Sequence, residues 1–282
     1  MEEILRHRRL LFSIAYNILG EVHEAEDIVQ DIYEHWFAKQ PTVGFPKAYL
    51  SKAVVTKSID RLAALKKDRE HYKGPWLPVP LIDENFSLND EEPTDPLPYA
   101  LLTVLEKLNP VERAAFILRR AFDHSYAEIS EMCNMNEESV RQLIHRAHEK
   151  LLKPRVRYTV ADPQRERLLI AFLQACRTRD SRGLKEILHQ DVIMYSDGGG
   201  KASAAVVPLK GATKIINFLM KVLDNVTVRF DMKIVTVNGA PGAILFDKTS
   251  GKIDTVMTFQ TEDEKIVDFY FVRNPDKILR PE

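Results

Sequence analysis

Six side chains near the middle of the chain could read nucleic acid: Ser139, Arg141, Gln142, His145, Arg146 and Lys150. Arginine pairs bidentately with guanine, glutamine with adenine, and lysine holds phosphate as a point charge. To act together they must share one face of one helix. Val140, Leu143, Ile144, Ala147 and Leu151 recur between them at helical spacing, which supplies a buried stripe and leaves the six outside. The preceding residues say how that helix is held. Ser125 with Glu128 forms a capping-box pattern, so a helix is expected from Tyr126 with Tyr126, Ile129 and Cys133 inward. Asn134 tolerates the left-handed backbone of a tight turn, and Asn136 can cap the second helix. Glu137 and Glu138 suit that helix's positive end. Residues 123–152 therefore read as a helix-turn-helix, whose second helix enters a major groove.

A second set of residues could make charged contacts. Between residues 21 and 34 there are six acids and no Lys or Arg. Asp27, Asp31 and Glu34, with Gln30, lie opposite Ala25, Ile28, Val29, Ile32 and Trp36 on a helix expected from about His23. Such a face fits a basic partner helix. Residues 45–74 carry eight Lys/Arg against three acids. Here Pro46 suits the first turn of a long helix with Tyr49, Leu50, Ala53, Ile59 and Leu62 as its core. Lys47, Lys52, Lys57, Arg61, Lys66 and Lys67 then make a basic side able to hold phosphates. A net charge of −1 conceals these separate surfaces.

The elements around these sets follow in order. A first helix spans about residues 2–19 and stops at Gly20, and Pro41, Gly44 and Pro46 break the chain again. Six of the 15 prolines fall in residues 74–98, an extended linker that is acidic after Leu81. Its segment Trp76-Leu77-Pro78-Val79-Pro80-Leu81 is too apolar to stay free and is expected to dock on another domain. Asn109-Pro110-Val111-Glu112 starts another helix, and four helices fill residues 98–154.

After Pro154 the pattern changes. Residues 164–190 read as helical, and β-rich runs follow at 192–195, 226–237, 243–246, 253–260 and 266–272. A helix at 213–223 interrupts them, and Asn238-Gly239, Pro241-Gly242 and Ser250-Gly251 mark turns. This order predicts an α+β domain whose curved antiparallel sheet wraps helices and encloses an apolar pocket. Asp197-Gly198-Gly199-Gly200-Lys201 lacks Walker or Rossmann spacing, so its glycines are expected to serve a close backbone contact with another domain. Cys133 and Cys176 are too few for a disulfide framework or zinc site and suit a reduced, cytoplasmic protein. His145 and His148 lack a third ligand, and no metal or cofactor site is expected. The charged start and the absence of a spanning apolar run imply neither signal peptide nor membrane segment.

The order of parts resembles the extracytoplasmic-function sigma factors of bacterial RNA polymerase, in the group with a fused C-terminal SnoaL-like (NTF2-like) domain. EAEDIVQDIYEHWF at residues 24–37 is similar to the region-two helix that binds the polymerase clamp. PKAYLSKAVVTKSIDRLAALKK at 46–67 is similar to the segment that reads and opens the −10 element. LNPVERAAFILRRAFDHSYAEISEMCNMNEESVRQLIHRAHEKL at 108–151 is similar to region four, which reads the −35 element. WLPVPL at 76–81, DGGGK at 197–201 and NPDK (Asn274, Pro275, Asp276, Lys277) mark the group, which usually carries Glu where Val79 stands.

The resemblance implies a multidomain chain: a helical region-two domain at 1–73, a linker at 74–97, a region-four helix-turn-helix domain at 98–158 and a SnoaL-like domain at 159–282. Its implied partners are core polymerase, through the β′ clamp and β flap, and promoter DNA, with a possible small ligand in the C-terminal pocket and a monomeric free form. The SnoaL-like domain would regulate the chain by packing on the linker, where WLPVPL and DGGGK would meet. Two other classes fit parts of the chain. One is a cyclase or isomerase with Tyr195, Asp197, Asp231 or Asp254 as general base, although no acid–base pair stands out. The other is a dimeric, ligand-responsive repressor, which leaves the acidic and basic helices without a role.

Overall fold

The computed structural model describes residues 2–83, 96–151 and 163–278. These residues divide into two units. The first, helical, takes residues 2–71, 96–97 and 101–151; the second takes 72–83, 98–100 and 163–278.

In the helical unit the first helix is broken at Arg6 and His7 into α1 (Glu2–Leu5) and α2 (Arg8–Leu19), which ends at Gly20 in left-handed backbone. The acidic helix is α3 (Val22–Lys39), and Pro46 opens α4 (Pro46–Arg69). The buried side of α4 is Leu50, Ser51, Val54, Val55, Ser58 and Leu62. Tyr49 was expected in the core but is exposed, its ring edge-on to Trp36 at 5.6 Å. The apolar stripe of α4 is one position further along, and the aromatic pair ties the start of α4 to the end of α3 at the surface.

Helices α5 (Tyr99–Leu105), α6 (Pro110–Arg120), α7 (Tyr126–Cys133) and α8 (Glu137–Leu151) follow. Both expected capping boxes form, Asn109 with Glu112 and Ser125 with Glu128. Asn134 ends α7 at φ 53°, the left-handed turn that redirects the chain into α8.

Helix α4 packs on α6 and α7, and α2 packs on α6. A polar network lies among them. Arg113 is fully buried and donates twice to the Asn17 carbonyl (3.3 and 3.1 Å) while pairing with Glu106. Arg69 reaches Glu106 (2.9 Å) and the Leu19 carbonyl (3.2 Å). Lys66, expected on the basic surface, instead donates to the carbonyls of Glu106 (2.6 Å) and Leu108 (2.7 Å). These cations satisfy carbonyls that a helix end leaves open.

The second unit is built on a seven-stranded sheet ordered β1-β4-β5-β6-β7-β2-β3. Its strands are β1 (Ile82–Asp83), β2 (Leu188–Asp197), β3 (Leu209–Lys210), β4 (Phe230–Val237), β5 (Ala240–Asp247), β6 (Ile253–Glu262) and β7 (Lys265–Val272). The sheet is mixed, because β2 runs parallel to β7 where antiparallel neighbours were expected throughout. Strand β2 follows α9 (Pro163–Thr178) and α10 (Ser181–Ile187), and the long connection from β2 to β7 through a helix and the four intervening strands permits their parallel pairing.

Helix α11 (Ala212–Arg229) runs through residues 226–229, which were expected to begin a strand; a helix already under way adds a backbone hydrogen bond with each further residue. Pro241-Gly242 lies inside β5 and is no turn, because Asn238-Gly239 already makes the hairpin from β4. A Cβ on Gly242 would come within 2.7 Å of the Met257 carbonyl, so the glycine is there for close strand approach.

Alternation divides the sheet. Met194, Ile234 and Phe269 face α9–α11, whereas Tyr195, Val235 and Tyr270 face the other way. The second face is covered by Leu77 and Tyr99, so the apolar linker segment is part of this unit's core.

Candidate nucleic-acid interface and linker latch

On α8, Arg141, Gln142, His145 and Arg146 stand on the solvent side while Val140, Leu143, Ile144 and Ala147 are buried. Ser139 is half-buried, and its N–H donates to the Asn136 side chain (2.8 Å) as the first turn's cap. Arg141 is steered by two neighbours: it donates to Glu137 (3.1 Å) and lies 4.4 Å from the Tyr126 ring centre. Tyr126, expected to point inward, is half-buried beneath Arg119 and Arg141, and Met132 fills the core beside Ile129 instead. Lys150 donates to both oxygens of buried Glu112 (2.6 and 2.8 Å), so it also braces α8 against α6. Burial works to raise the Glu112 carboxyl, but Lys150 and the Asn109 N–H outweigh it and hold it below the usual range.

The acidic and basic helices partly face one another. Asp27, Gln30, Asp31 and Glu34 are exposed on α3, as are Lys47, Lys52, Lys57 and Arg61 on α4. Within these rows Lys57 meets Asp31 (3.0 Å), Arg61 meets Glu24 (2.5 Å), and Gln30 donates to Glu34 (3.0 Å). Exposed pairs of this kind are worth little, so either row can exchange its partner for another charged surface.

The second cluster is centred on Asp197, the last residue of β2 and fully buried. Its carboxylate accepts from the Leu77 N–H (2.9 Å), the Lys277 ammonium (2.8 Å), the Tyr72 hydroxyl (2.5 Å) and the Gly199 N–H (3.0 Å). Lys277 donates also to the Leu77 carbonyl (2.6 Å) and lies 4.0 Å from the Trp76 ring centre. Leu77 is thus held at both its N–H and its carbonyl. Pro78, Val79 and Pro80 are buried and Leu81 half-buried. The Tyr99 hydroxyl donates to the Pro78 carbonyl (2.7 Å). Leu81 exchanges hydrogen bonds with Asn238 (3.0 and 2.9 Å), and Ile82 and Asp83 then pair with β4.

The three glycines have separate reasons. A Cβ on Gly198 would lie 2.3 Å from the Ala202 carbonyl, and one on Gly199 would lie 2.4 Å from the Asn274 amide. Gly199 and Gly200 both have left-handed backbone, at φ 58° and 72°. Asn274, whose N–H and that of Arg273 donate to the Asp197 carbonyl, also donates through its side chain to Tyr72 (2.8 Å). Lys201 pairs with Asp276 (2.5 Å) at the surface, beside exposed Pro275. Structure therefore brings Trp76, Leu77, Asp197 to Lys201, Asn274 and Lys277 together. It adds Tyr72, Tyr99 and Asn238, which no sequence pattern singled out, except that Asn238 begins the Asn-Gly turn.

Three of the four candidate general bases lie away from the cavity beneath α9 and α11. Asp197 is spent on the linker, Asp231 is exposed near Lys248 (3.6 Å), and Tyr195 stacks on Tyr270 on the opposite face. Asp254 lines the cavity but is bonded by Arg273 through Nε (3.2 Å) and Nη2 (2.8 Å). No group of three potential metal ligands occurs among the described residues, and no described helix is long and apolar enough to cross a membrane.

Comparison with known proteins matches this architecture. The sigma-70 region 2 family covers residues 4–68 and the sigma-70 region 4 family covers residues 99–151. The ECF RNA polymerase sigma factor SigJ of Mycobacterium tuberculosis is 29% identical over 287 residues, 96% of this chain and 90% of its own. The probable ECF RNA polymerase sigma factor SigI of that species is 27% identical over 195 residues, 66% of each chain. The crystal structure of SigJ gives a TM-score of 0.80 at 27% identity, covering 98% of this chain and 97% of that one. With helices α1–α4 as region two, α5–α8 as region four and a mixed-sheet domain after them, the chain belongs to the extracytoplasmic-function sigma factors.

Proposed function

We propose that this chain binds core RNA polymerase and directs it to promoters, with α8 reading the −35 element and α4 the −10 element. The observation that carries the reading is the presence of both sigma regions with their charged faces exposed: Asp27, Gln30, Asp31 and Glu34 toward the β′ clamp, region four toward the β flap. Ser139, Arg141, Gln142, His145, Arg146 and Lys150 then meet the upstream element. Lys47, Lys52, Lys57 and Arg61 meet the downstream one. No catalytic step is assigned to the chain.

The same reading includes control by the C-terminal domain. Elements named −35 and −10 lie about 25 base pairs apart, or about 85 Å of duplex at ~3.4 Å per step. A domain of about 100 residues has a radius of gyration of only ~13 Å. Regions two and four, packed on each other through α4, α6 and α7, must separate to reach both. The linker between them is the segment gripped by Asp197 and Lys277, so its release is the natural control point.

Run-off transcription with core polymerase tests both parts, comparing the full chain, a chain ending at about residue 160, and Asp197→Ala. Promoter-specific transcripts from the full chain or either variant support the sigma assignment, and none from all three would refute it. Equal activity and equal promoter affinity for all three would overturn the control by the C-terminal domain.

A further inference from the structure

We infer that the cavity of the mixed-sheet domain binds an uncharged, mainly apolar small molecule bearing one hydrogen-bonding group, and that its occupancy is transmitted to the Asp197 latch through Arg273. The second half rests on the proposed control by the linker; the first does not.

The cavity holds about 290 Å³. That is the share of roughly ten water molecules, near the lower end of small-molecule sites. Its walls include Phe172 and Leu173 of α9, Phe218 and Val222 of α11, Met194 of β2 and Met257 of β6. Walls of this kind gain dispersion contacts only when something apolar fills them.

The polar groups gather at one end. Ser196 is buried on the cavity wall and brings a hydroxyl to it. Thr255 is occupied, donating to Asp254 (2.6 Å). Arg273 and Asp254 neutralise each other through bonds from both Nε and Nη2. A carboxylate ligand would have to displace Asp254, and a cationic one would confront Arg273. The match is therefore a neutral molecule whose single polar group reaches Ser196.

Arg273 faces two ways. Its guanidinium lines the cavity and donates to the Ser203 carbonyl, in the loop that follows Lys201. Its own N–H donates to the Asp197 carbonyl (2.7 Å), and Asn274 and Lys277 follow it into the latch. A ligand that repositions Arg273 moves groups directly bonded to Asp197. The latch, closed or released, is the two-state element such coupling requires.

The test uses the full chain and 2-naphthol, a fused-ring apolar body with one hydroxyl, against 2-naphthoate, its anionic counterpart. Expected are saturable binding of 2-naphthol by calorimetry and a raised melting temperature, with about tenfold weaker binding of 2-naphthoate. Val222→Trp, which fills the cavity, should abolish binding while circular dichroism remains unchanged. Asp254→Asn, which frees the Arg273 charge, should reverse the preference toward 2-naphthoate. No saturable binding of 2-naphthol, or binding that survives Val222→Trp, would overturn the site. Should Val222→Trp fail to fold, the reversal by Asp254→Asn decides in its place: a preference left unchanged refutes the assigned polar end.

Coupling is read separately, by hydrogen exchange at the Leu77 amide. A change of about threefold or more in its exchange rate with 2-naphthol supports it, and an unchanged rate with the cavity occupied refutes it. Neither measurement involves polymerase, so a failure of the transcription assay would refute the control reading and leave the site standing.

Discussion

Both units fasten distant segments with buried charge, but they do so in opposite ways. In the helical unit a fully buried cation, Arg113, spends itself on the Asn17 carbonyl of α2 and the Glu106 carboxylate. In the mixed-sheet unit a fully buried anion, Asp197, takes hold of one extended residue by its N–H while Lys277 takes its carbonyl. The first joins helices that make most of their backbone bonds internally and lack them only at their ends. The second supplies the bonds that an extended, proline-rich segment lacks. Removing the first should therefore loosen a whole helical unit, and removing the second should release a strap while the sheet beneath it stays folded.

The largest test of that contrast is Arg113→Ala, which opens a void at the Asn17 carbonyl and leaves Glu106 to Arg69. A loss of about 3–5 kcal/mol is expected in denaturant unfolding of the helical unit. Asp197→Ala strands the Lys277 ammonium and should cost a comparable or smaller amount, about 3 kcal/mol, confined to the linker. Limited proteolysis would then cut within residues 72–83 while the sheet's near-ultraviolet spectrum persists. Global unfolding by Asp197→Ala would break the comparison.

Acid offers an independent probe. Burial works to raise the Glu106 carboxyl, but Arg113, Arg69 and Lys66 outweigh it and hold it below its ordinary value. Its stabilisation is therefore full above an unfolded carboxylate pKa of about 4.3 and is lost as pH falls through the depressed folded value. Melting followed by helical circular dichroism should fall steeply below about pH 4 and be flat above about pH 5.

Gly199→Ala combines left-handed backbone with a clash on the Asn274 amide, and about 1–3 kcal/mol of latch stability should go with it. The smallest effect belongs to Lys57→Ala. Its exposed pair with Asp31 should be worth under about 1 kcal/mol to stability. If α4 holds phosphate there, however, the salt dependence of promoter binding should fall by about one counterion.

The contrast also explains what the sequence revealed. The helical unit is written in local code: Asn109-Pro110-Val111-Glu112, Ser125 with Glu128, and Asn134 each specify a helix end within four residues, and each forms as expected. The exposed face of α8 follows from the same periodicity. The latch is non-local. Tyr72, Leu77, Asp197 and Lys277 meet across intervals of 200 residues and more, and no spacing rule connects them. The triple glycine announced a close approach, but not that Asn274 would be the neighbour. Lys66 read as a surface cation because burial of charge depends on carbonyl partners, which composition does not display. Pro241-Gly242 misled for a related reason, since close approach of neighbouring strands overrode its turn preference.

The pairing of Ile82 and Asp83 with β4 reaches beyond the latch. These two residues are the outermost strand on that side of the sheet. Stripped of them, β4 would lose its cover at Thr236 and Val237, and an open strand edge is the template on which chains pair edge to edge and aggregate. Freedom of the linker thus comes with a solubility hazard, and every molecule that lets go of its strap is under pressure either to re-close or to be captured by another surface.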